Sequence, residues 1–203
     1  MSTGQTVVID YQAGNVNSVC KALRALGAEV HITANPEALQ CAARIVLPGV
    51  GHFDSTGVLF RSGIADALRE RVAAGVPFLG ICVGLQWLFS GSTEAPATPG
   101  LRIFPQMCER FPATVKSPHV GWNSLEPVAE SRLLRGTMSS PFVYFTHSYR
   151  APRIQETTVV TNYGGEFSAI VEKDNWMAVQ FHPEKSGSVG LKILNNFLEI
   201  PSC

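Results

Sequence analysis

The residues of this chain that could do covalent chemistry are centred on one cysteine. Cys82 stands between Gly80 and Gly84, after the buried-strand pattern of residues 77–81 and before residues 85–89, which are compatible with a helix. A strand, a sharp turn and a helix in this order form a nucleophile elbow, whose strained backbone requires small neighbours. The motif predicts a nucleophilic thiol, although an inert cysteine in a tightly packed turn would need the same glycines.

A second motif, His182-Pro183-Glu184, carries the groups that a cysteine nucleophile needs. A histidine activates the thiol and protonates a leaving amine, and a carboxylate two positions on orients the imidazole. Alone, the tripeptide is more often a surface histidine beside a solvated glutamate. Together with the elbow, it favours catalysis by Cys82, His182 and Glu184.

Backbone amides close to Cys82 could bind the negative oxygen of a reaction intermediate. The Val83 amide begins the helix after the elbow, and Gly49, Val50 and Gly51 follow another predicted strand, where glycines let a ligand approach the backbone. A Pro-Gly pair after a strand is usually only a turn. Gln86 and Glu94 could contact an amide or an ammonium group, although such side chains more often face solvent.

The elements that must position these residues predict an α/β fold. Short apolar runs alternate with helical patterns over the first eighty residues, as in a parallel sheet built from βαβ units. The later strand candidates follow each other closely and predict an antiparallel extension. We therefore expect a mostly parallel open sheet flanked by helices, with one domain over residues 1–203. The strand candidates are residues 6–10, 29–33, 44–47, 77–81, 142–149, 157–163, 167–172 and 176–181, and the helical patterns are centred on Leu23, Leu68 and Ile193.

The composition limits the partners and the compartment. Sixteen basic residues balance sixteen acidic ones, so no net field attracts nucleic acid or an anionic membrane. The five cysteines contain no Cys-x-x-Cys pair, which argues against a disulfide framework and a zinc site. We expect a cytoplasmic protein that uses no metal and no cofactor.

Several sequence blocks together resemble the class I, or triad, glutamine amidotransferases, and within them the glutaminase subunits of imidazole glycerol phosphate synthase. The resemblance covers nearly the whole chain, with departures at Gln12, at Ala178 and across residues 101–111. The blocks are Ile9-Asp10-Tyr11 with Gly14-Asn15, Pro48-Gly49-Val50-Gly51, Gly80-Ile81-Cys82-Val83-Gly84-Leu85-Gln86, Pro118-His119-Val120-Gly121-Trp122-Asn123, Tyr144-Phe145-Thr146-His147-Ser148-Tyr149 and Gln180-Phe181-His182-Pro183-Glu184-Lys185-Ser186.

The resemblance implies that glutamine is hydrolysed and that the ammonia passes to a cyclase subunit in histidine biosynthesis. That cyclase is a (β/α)₈ barrel of typically ~250 residues, so it must be a separate chain, and a one-to-one heterodimer is the simple expectation. The resemblance also assigns two sets of residues. Glutamine would contact Gln86, Glu94 and the amides of His147, Ser148 and Tyr149, and the cyclase would lie against Asn15, Trp122 and Lys185.

Other functions are compatible with parts of the sequence. The ammonia acceptor could be a pyridoxal phosphate synthase or an anthranilate synthase partner. A cysteine peptidase-like or chaperone protein would share the elbow but would not need Gln86 or the His-Pro-Glu motif. A non-catalytic regulatory subunit is disfavoured because Cys82, His182 and Glu184 are all present.

Overall fold

A computed structural model of the chain describes residues 4–12 and 15–202, so Gly14 of the first quoted block lies outside the described residues. The strands are β1 Thr6–Ile9, β2 Val30–Thr33, β3 Arg44–Gly49, β4 Phe78–Cys82, β5 Gly91–Ser92, β6 Met107–Arg110, β7 His119–Ser124, β8 Glu126–Pro127, β9 Phe142–His147, β10 Tyr149–Arg150, β11 Thr157–Asn162, β12 Glu166–Lys173 and β13 Trp176–Val179. The α-helices are α1 Val16–Ala25, α2 Gly57–Arg61, α3 Ile64–Ala73, α4 Val83–Trp87 and α5 Gly187–Leu198. Short 3-10 helices cover Pro36–Cys41, Phe53–Thr56 and Pro183–Lys185.

The main sheet has the strand order β2-β1-β3-β4-β13-β12-β11-β8 within the described residues. Its first five strands run parallel to their neighbours, and β12, β11 and β8 continue the sheet in antiparallel pairs. This arrangement confirms the predicted mostly parallel sheet with an antiparallel extension. It also places the carboxyl ends of β3, β4 and β13 side by side, which is where parallel sheets usually carry their sites.

The central strands and the helices form as their apolar patterns predict. Every residue of β3 and β4 is buried, as expected for strands covered on both faces. The long C-terminal helix α5 buries Ile193, Leu194 and Phe197. Gly27 and Gly75 have φ angles of 84° and 96°, the left-handed conformation expected just after a helix. None of the described helices is long and apolar enough to cross a membrane.

The structure corrects the prediction of one continuous strand over residues 142–149. The structure divides it at Ser148 into β9, which pairs with β7, and β10, which pairs with β6, so neither part joins the main sheet. The break falls where the pairing partner changes from β7 to β6, and the Nδ1 atom of His147 spans it at 2.9 Å from the Tyr149 carbonyl oxygen.

The helix after Cys82 lies two residues closer to the N-terminus than the predicted residues 85–89. It begins at Val83 and ends at Trp87. The carbonyl groups of Trp87, Leu88 and Phe89 accept hydrogen bonds from the amides of residues 101–104. These carbonyls are therefore satisfied by another segment of chain, and the helix has no need to continue.

Candidate active site

Cys82 is the last residue of β4 and lies in a strained turn. Its φ and ψ angles are 55° and −105°, a conformation that costs a non-glycine residue about 1–3 kcal/mol. A Cβ atom on Gly80 would lie 2.5 Å from the Gly84 carbonyl oxygen, and one on Gly84 would overlap the Leu47 carbonyl oxygen. The nearest atoms in both cases belong to the backbone and cannot move aside as a flexible side chain could. This confirms that the turn requires small residues on both sides of Cys82.

His182 and Glu184 lie just beyond the carboxyl end of β13, the strand next to β4. Val179 of β13 is in register with Ile81 of β4, so both chains reach the same edge of the sheet together. The Nδ1 atom of His182 lies 2.8 Å from Oε1 of Glu184, and both side chains are buried. The carboxylate therefore fixes the orientation of the imidazole, as the sequence predicted.

The electrostatics of His182 depend on the sulfur. Burial lowers the pKa of His182. The opposing effects are larger and raise that pKa to about 10: they are the charge of Cys82, a hydrogen bond with Cys82, and the hydrogen bond and charge of Glu184. A proton on His182 is thus stabilised by its two neighbours Cys82 and Glu184, which suits the imidazole to protonate a leaving group.

A second group of backbone amides lies beside the cysteine. Gly49 ends β3 and is in register with Cys82, while Val50 and Gly51 continue from it into the cleft. Gly51 has a φ of 96°, so its turn favours glycine. The structure thus brings Gly49, Val50, Gly51 and the Val83 helix terminus to one place, as predicted for an oxyanion site.

A cavity of about 270 Å³ opens over Cys82. It is large enough for a small polar molecule, and every substrate-binding residue assigned by resemblance borders it. Pro118 and Thr146 also border it and were not predicted as site residues. The lining residues are Val50, Gly51, Cys82, Val83, Gln86, Glu94, Pro118, Thr146, His147, Ser148 and Tyr149.

Gln86 and Glu94 each make one end of their side chain available to this cavity. The Nε2 atom of Gln86 donates to the Tyr149 carbonyl at 2.8 Å and to Oε1 of Gln180 at 3.3 Å. Oε2 of Glu94 accepts from the Phe53 amide at 2.8 Å. Glu94 therefore also anchors the segment that follows Gly51, which joins the predicted ligand contact to the predicted oxyanion loop.

His147 borders the cavity as a neutral side chain. Burial lowers its pKa to about 3, although the bond to the Tyr149 carbonyl raises it. Because the ring is uncharged near neutral pH, its contribution is the bond to the Tyr149 carbonyl oxygen, which spans the bend at Ser148. Ser148 and Tyr149 both border the cavity.

The three residues expected at a partner interface lie differently from one another. Trp122 is 55% exposed on β7, between Val120 at 56% and the neighbouring β9 residue Phe142 at 57%. The Nζ atom of Lys185 lies 6.0 Å from the centre of the Tyr144 ring on the same side. Asn15 instead donates its side-chain amide to Oε1 of Glu184, a contact that the sequence did not predict.

Gln180 is a further site residue that the sequence did not predict. Its side chain is fully buried, and its Nε2 atom lies 3.6 Å from Cys82 Sγ. The sequence signal that could have pointed to it is its place two residues before His182, just past the end of β13. Among the described residues, no group of His, Cys, Asp or Glu side chains could hold a metal ion.

Comparisons with known proteins agree with this fold and site. The sequence matches the Glutamine amidotransferase class-I family over residues 7–200. A crystal structure of a glutamine amidotransferase superposes with a TM-score of 0.75 at 24% identity, covering 95% of this chain and 97% of that one. The chain belongs to the class-I glutamine amidotransferases.

The similarity extends to one branch of that class. The imidazole glycerol phosphate synthase subunit HisH of Methanothermobacter thermautotrophicus is 45% identical over 194 residues, which are 95% of this chain and 97% of the relative. The protein of the same name from Caldanaerobacter subterraneus is 43% identical over 199 residues, covering 97% and 98%. Within the class, the chain belongs to the HisH family of glutaminase subunits.

Proposed function

We propose that Cys82, His182 and Glu184 hydrolyse glutamine to glutamate and ammonia, and that the ammonia is delivered to a separate cyclase subunit. The observation that carries this proposal is the strained Cys82 at the floor of a small polar cavity, with the His182-Glu184 pair buried behind it. Residues 1–203 would act as one catalytic domain. The family membership supports histidine biosynthesis as the pathway and the cytoplasm as the compartment.

The first half of the reaction uses the thiolate and the protonated imidazole. Cys82 Sγ attacks the carboxamide carbon of glutamine and forms a tetrahedral intermediate with a negative oxygen. The amide of Val83 and an amide from Gly49 to Gly51 stabilise that oxygen. His182 then gives its proton to the departing nitrogen, so the carbon-nitrogen bond breaks and ammonia leaves a thioester on Cys82.

The second half releases glutamate. His182, now neutral, takes a proton from a water molecule as that water attacks the thioester carbon. The carbon-sulfur bond breaks and Cys82 returns as a thiolate beside the imidazolium. Glu184 keeps the ring oriented throughout, because its carboxylate accepts from the Nδ1 side and leaves Nε2 to serve the sulfur and the water.

The cavity supplies contacts for both ends of glutamine. Glu94 is suited to the α-ammonium group because one of its oxygens is engaged by Phe53 and the other is available. The amides of Ser148 and Tyr149 are suited to the α-carboxylate, because both residues border the cavity at the bend after His147. Gln86 offers its side-chain oxygen to the ligand, since both hydrogens of its Nε2 atom are already used.

The chemistry of ammonia and the exposed surface of β7 and β9 both support a separate subunit as the ammonia acceptor. Free ammonia is protonated in neutral water and then no longer acts as a nucleophile, so its release should be coupled to a partner. The exposed side chains of Val120, Trp122 and Phe142 form an apolar patch next to Thr146 of the cavity rim. We take this patch, with Lys185 and Asn15 nearby, as the cyclase surface of a one-to-one heterodimer.

The test is glutamate release from glutamine by this protein alone, and with a cyclase subunit of imidazole glycerol phosphate synthase and its nucleotide ligand. We expect low activity alone and strong stimulation by the pair, through a rearrangement of the amides around Gly49 to Gly51. Trp122→Ala should weaken stimulation, whereas Ile32→Ala, another exposed apolar residue on the outer strand β2, should not. Activity that ignores the cyclase would contradict the proposed partner.

A further inference from the structure

Gln180 connects the nucleophile to the opposite wall of the cavity through a short chain of hydrogen bonds. It is fully buried just beyond β13 and does not border the cavity itself. Its Nε2 atom lies 3.6 Å from Cys82 Sγ, within hydrogen-bond reach of sulfur, and its Oε1 atom accepts from Gln86 at 3.3 Å. Gln86 in turn donates to the Tyr149 carbonyl at 2.8 Å.

The Tyr149 carbonyl fixes which groups donate and which accept in this series of hydrogen bonds. A carbonyl oxygen accepts and never donates, so the end of Gln86 that faces Tyr149 must be its NH₂ group. The two hydrogens of that group serve the Tyr149 carbonyl and Gln180. The end of Gln180 that faces Gln86 must then be its oxygen, and its NH₂ group must face the sulfur.

A donor held against sulfur acts differently on the thiol and on the thiolate. Hydrogen bonding to the charged form of a group favours that form, and bonds to charged groups are worth roughly tenfold or more in an equilibrium constant. The Gln180 amide cannot turn away without breaking its bond to Gln86 while buried. It is therefore a fixed donor aimed at the position of the negative charge.

We propose that Gln180 is a further catalytic residue, whose amide donates a hydrogen bond to Cys82 Sγ and stabilises negative charge on the attacking sulfur. This inference rests on the proposed role of Cys82 as the nucleophile. It also gives Gln86 a second task, because Gln86 holds Gln180 in the orientation that presents a donor. The segment proposed to bind the glutamine carboxylate is thereby linked to the reactive sulfur.

The experiment measures alkylation of Cys82 by iodoacetamide against pH, followed by mass spectrometry of its peptide, in the wild type, Gln180→Met and Gln180→Glu. Methionine keeps the volume without a donor, and glutamate keeps the acceptor for Gln86. We expect Cys82 alkylation at pH 7 to fall about tenfold and its pH midpoint to move higher in both variants. Exposed Cys41 in the same sample is the internal reference and should be unaffected.

A matched control separates this role from ordinary packing. Asn196 on α5 is another buried side-chain amide. It donates to the carbonyl oxygens of Leu133 and Arg135 at 2.8 and 2.7 Å. Asn196→Leu should lower the unfolding temperature and leave the alkylation profile unchanged. With the partner present, the Gln180 variants should lose kcat about tenfold while KM stays within about twofold.

An alkylation profile that is unchanged in both folded Gln180 variants overturns the inference. Loss of kcat without a change in that profile, as a purely structural residue would give, overturns it too. A wild type that alkylates at Cys82 but never releases glutamate would instead contradict the proposed function. The two failures are therefore distinguishable.

Discussion

The side-chain amide of Asn15 donates a hydrogen bond to Oε1 of Glu184. This oxygen also lies 2.8 Å from Nδ1 of His182, so Asn15 and His182 together hold the carboxylate in place. Asn15 precedes helix α1, where its left-handed φ of 64° directs the chain past the triad. A residue expected to face a partner subunit is thus also in contact with the catalytic carboxylate.

Asn15→Ala should lower kcat about tenfold or more, because Glu184 loses a donor and with it part of its fixed orientation. The measurement is glutamate release at saturating cyclase and ligand, so that a weaker complex does not hide the effect. Exposed Asn17, in the first turn of α1, provides the control, and Asn17→Ala should keep the wild-type kcat. Equal rates in both variants would show that the bond to Glu184 has no catalytic effect.

Cys82→Ser should abolish glutamine turnover, by at least about a thousandfold, while the unfolding temperature stays close to that of the wild type. The hydroxyl replaces the thiol in the same turn but is a far weaker nucleophile beside His182. Cys41→Ser, which changes an exposed thiol, should leave the rate unchanged. Substantial turnover in Cys82→Ser would sink the assignment of the nucleophile.

Gly84→Ala and Gly27→Ala should separate two effects of replacing a glycine on stability and activity: a steric clash and a strained backbone conformation. A Cβ on Gly84 would overlap the Leu47 carbonyl oxygen, so we expect a loss of stability of about 1–3 kcal/mol and loss of activity at the elbow. Gly27 has a φ of 84° with open space around it, so alanine should cost about 1–2 kcal/mol and leave the activity intact. Urea unfolding and glutamate release measure the two effects, and normal activity in Gly84→Ala would contradict the proposed fit.

Acid should destabilise the protein through two of its buried histidines, His119 and His147. Burial lowers the pKa of His119 from 6.5 to about 4, and that of His147 to about 3. As the pH falls, these histidines bind protons in the unfolded chain at a higher pH than in the folded chain. The stability present above pH 6.5 is therefore lost as the pH falls towards 4. At pH 5 we expect a loss of roughly 1–2 kcal/mol per histidine.

His119→Phe tests this pH dependence directly. The phenyl ring can keep the stacking on Tyr163 and Phe145, whose ring centres lie 4.0 and 5.0 Å from that of His119. Urea unfolding at pH 7 and pH 5 should show a smaller difference in the variant than in the wild type. His31→Gln, at an exposed position, should keep the wild-type difference, and an equally large difference in His119→Phe would refute the explanation.

The sequence predicted the strands and helices whose patterns depend on local burial. Strands β1, β3 and β13 and helix α5 formed where period and apolar composition agreed. Residues 142–149 formed strands as predicted except at Ser148, where the pairing partner changes from β7 to β6. Hydrophobic periodicity carries no signal of which strand is the partner.

The sequence by itself determined the types of the reacting groups and the glycines that an elbow requires. Cys82, His182 and Glu184 could be identified because their chemistry is specific and their neighbours in the chain are diagnostic. Only the tertiary structure decided that Gln180 faces the sulfur and that Asn15 holds Glu184. These contacts join residues 98 and 169 positions apart, and their geometry follows from the register of neighbouring strands and the packing of helix α1, which no local pattern encodes.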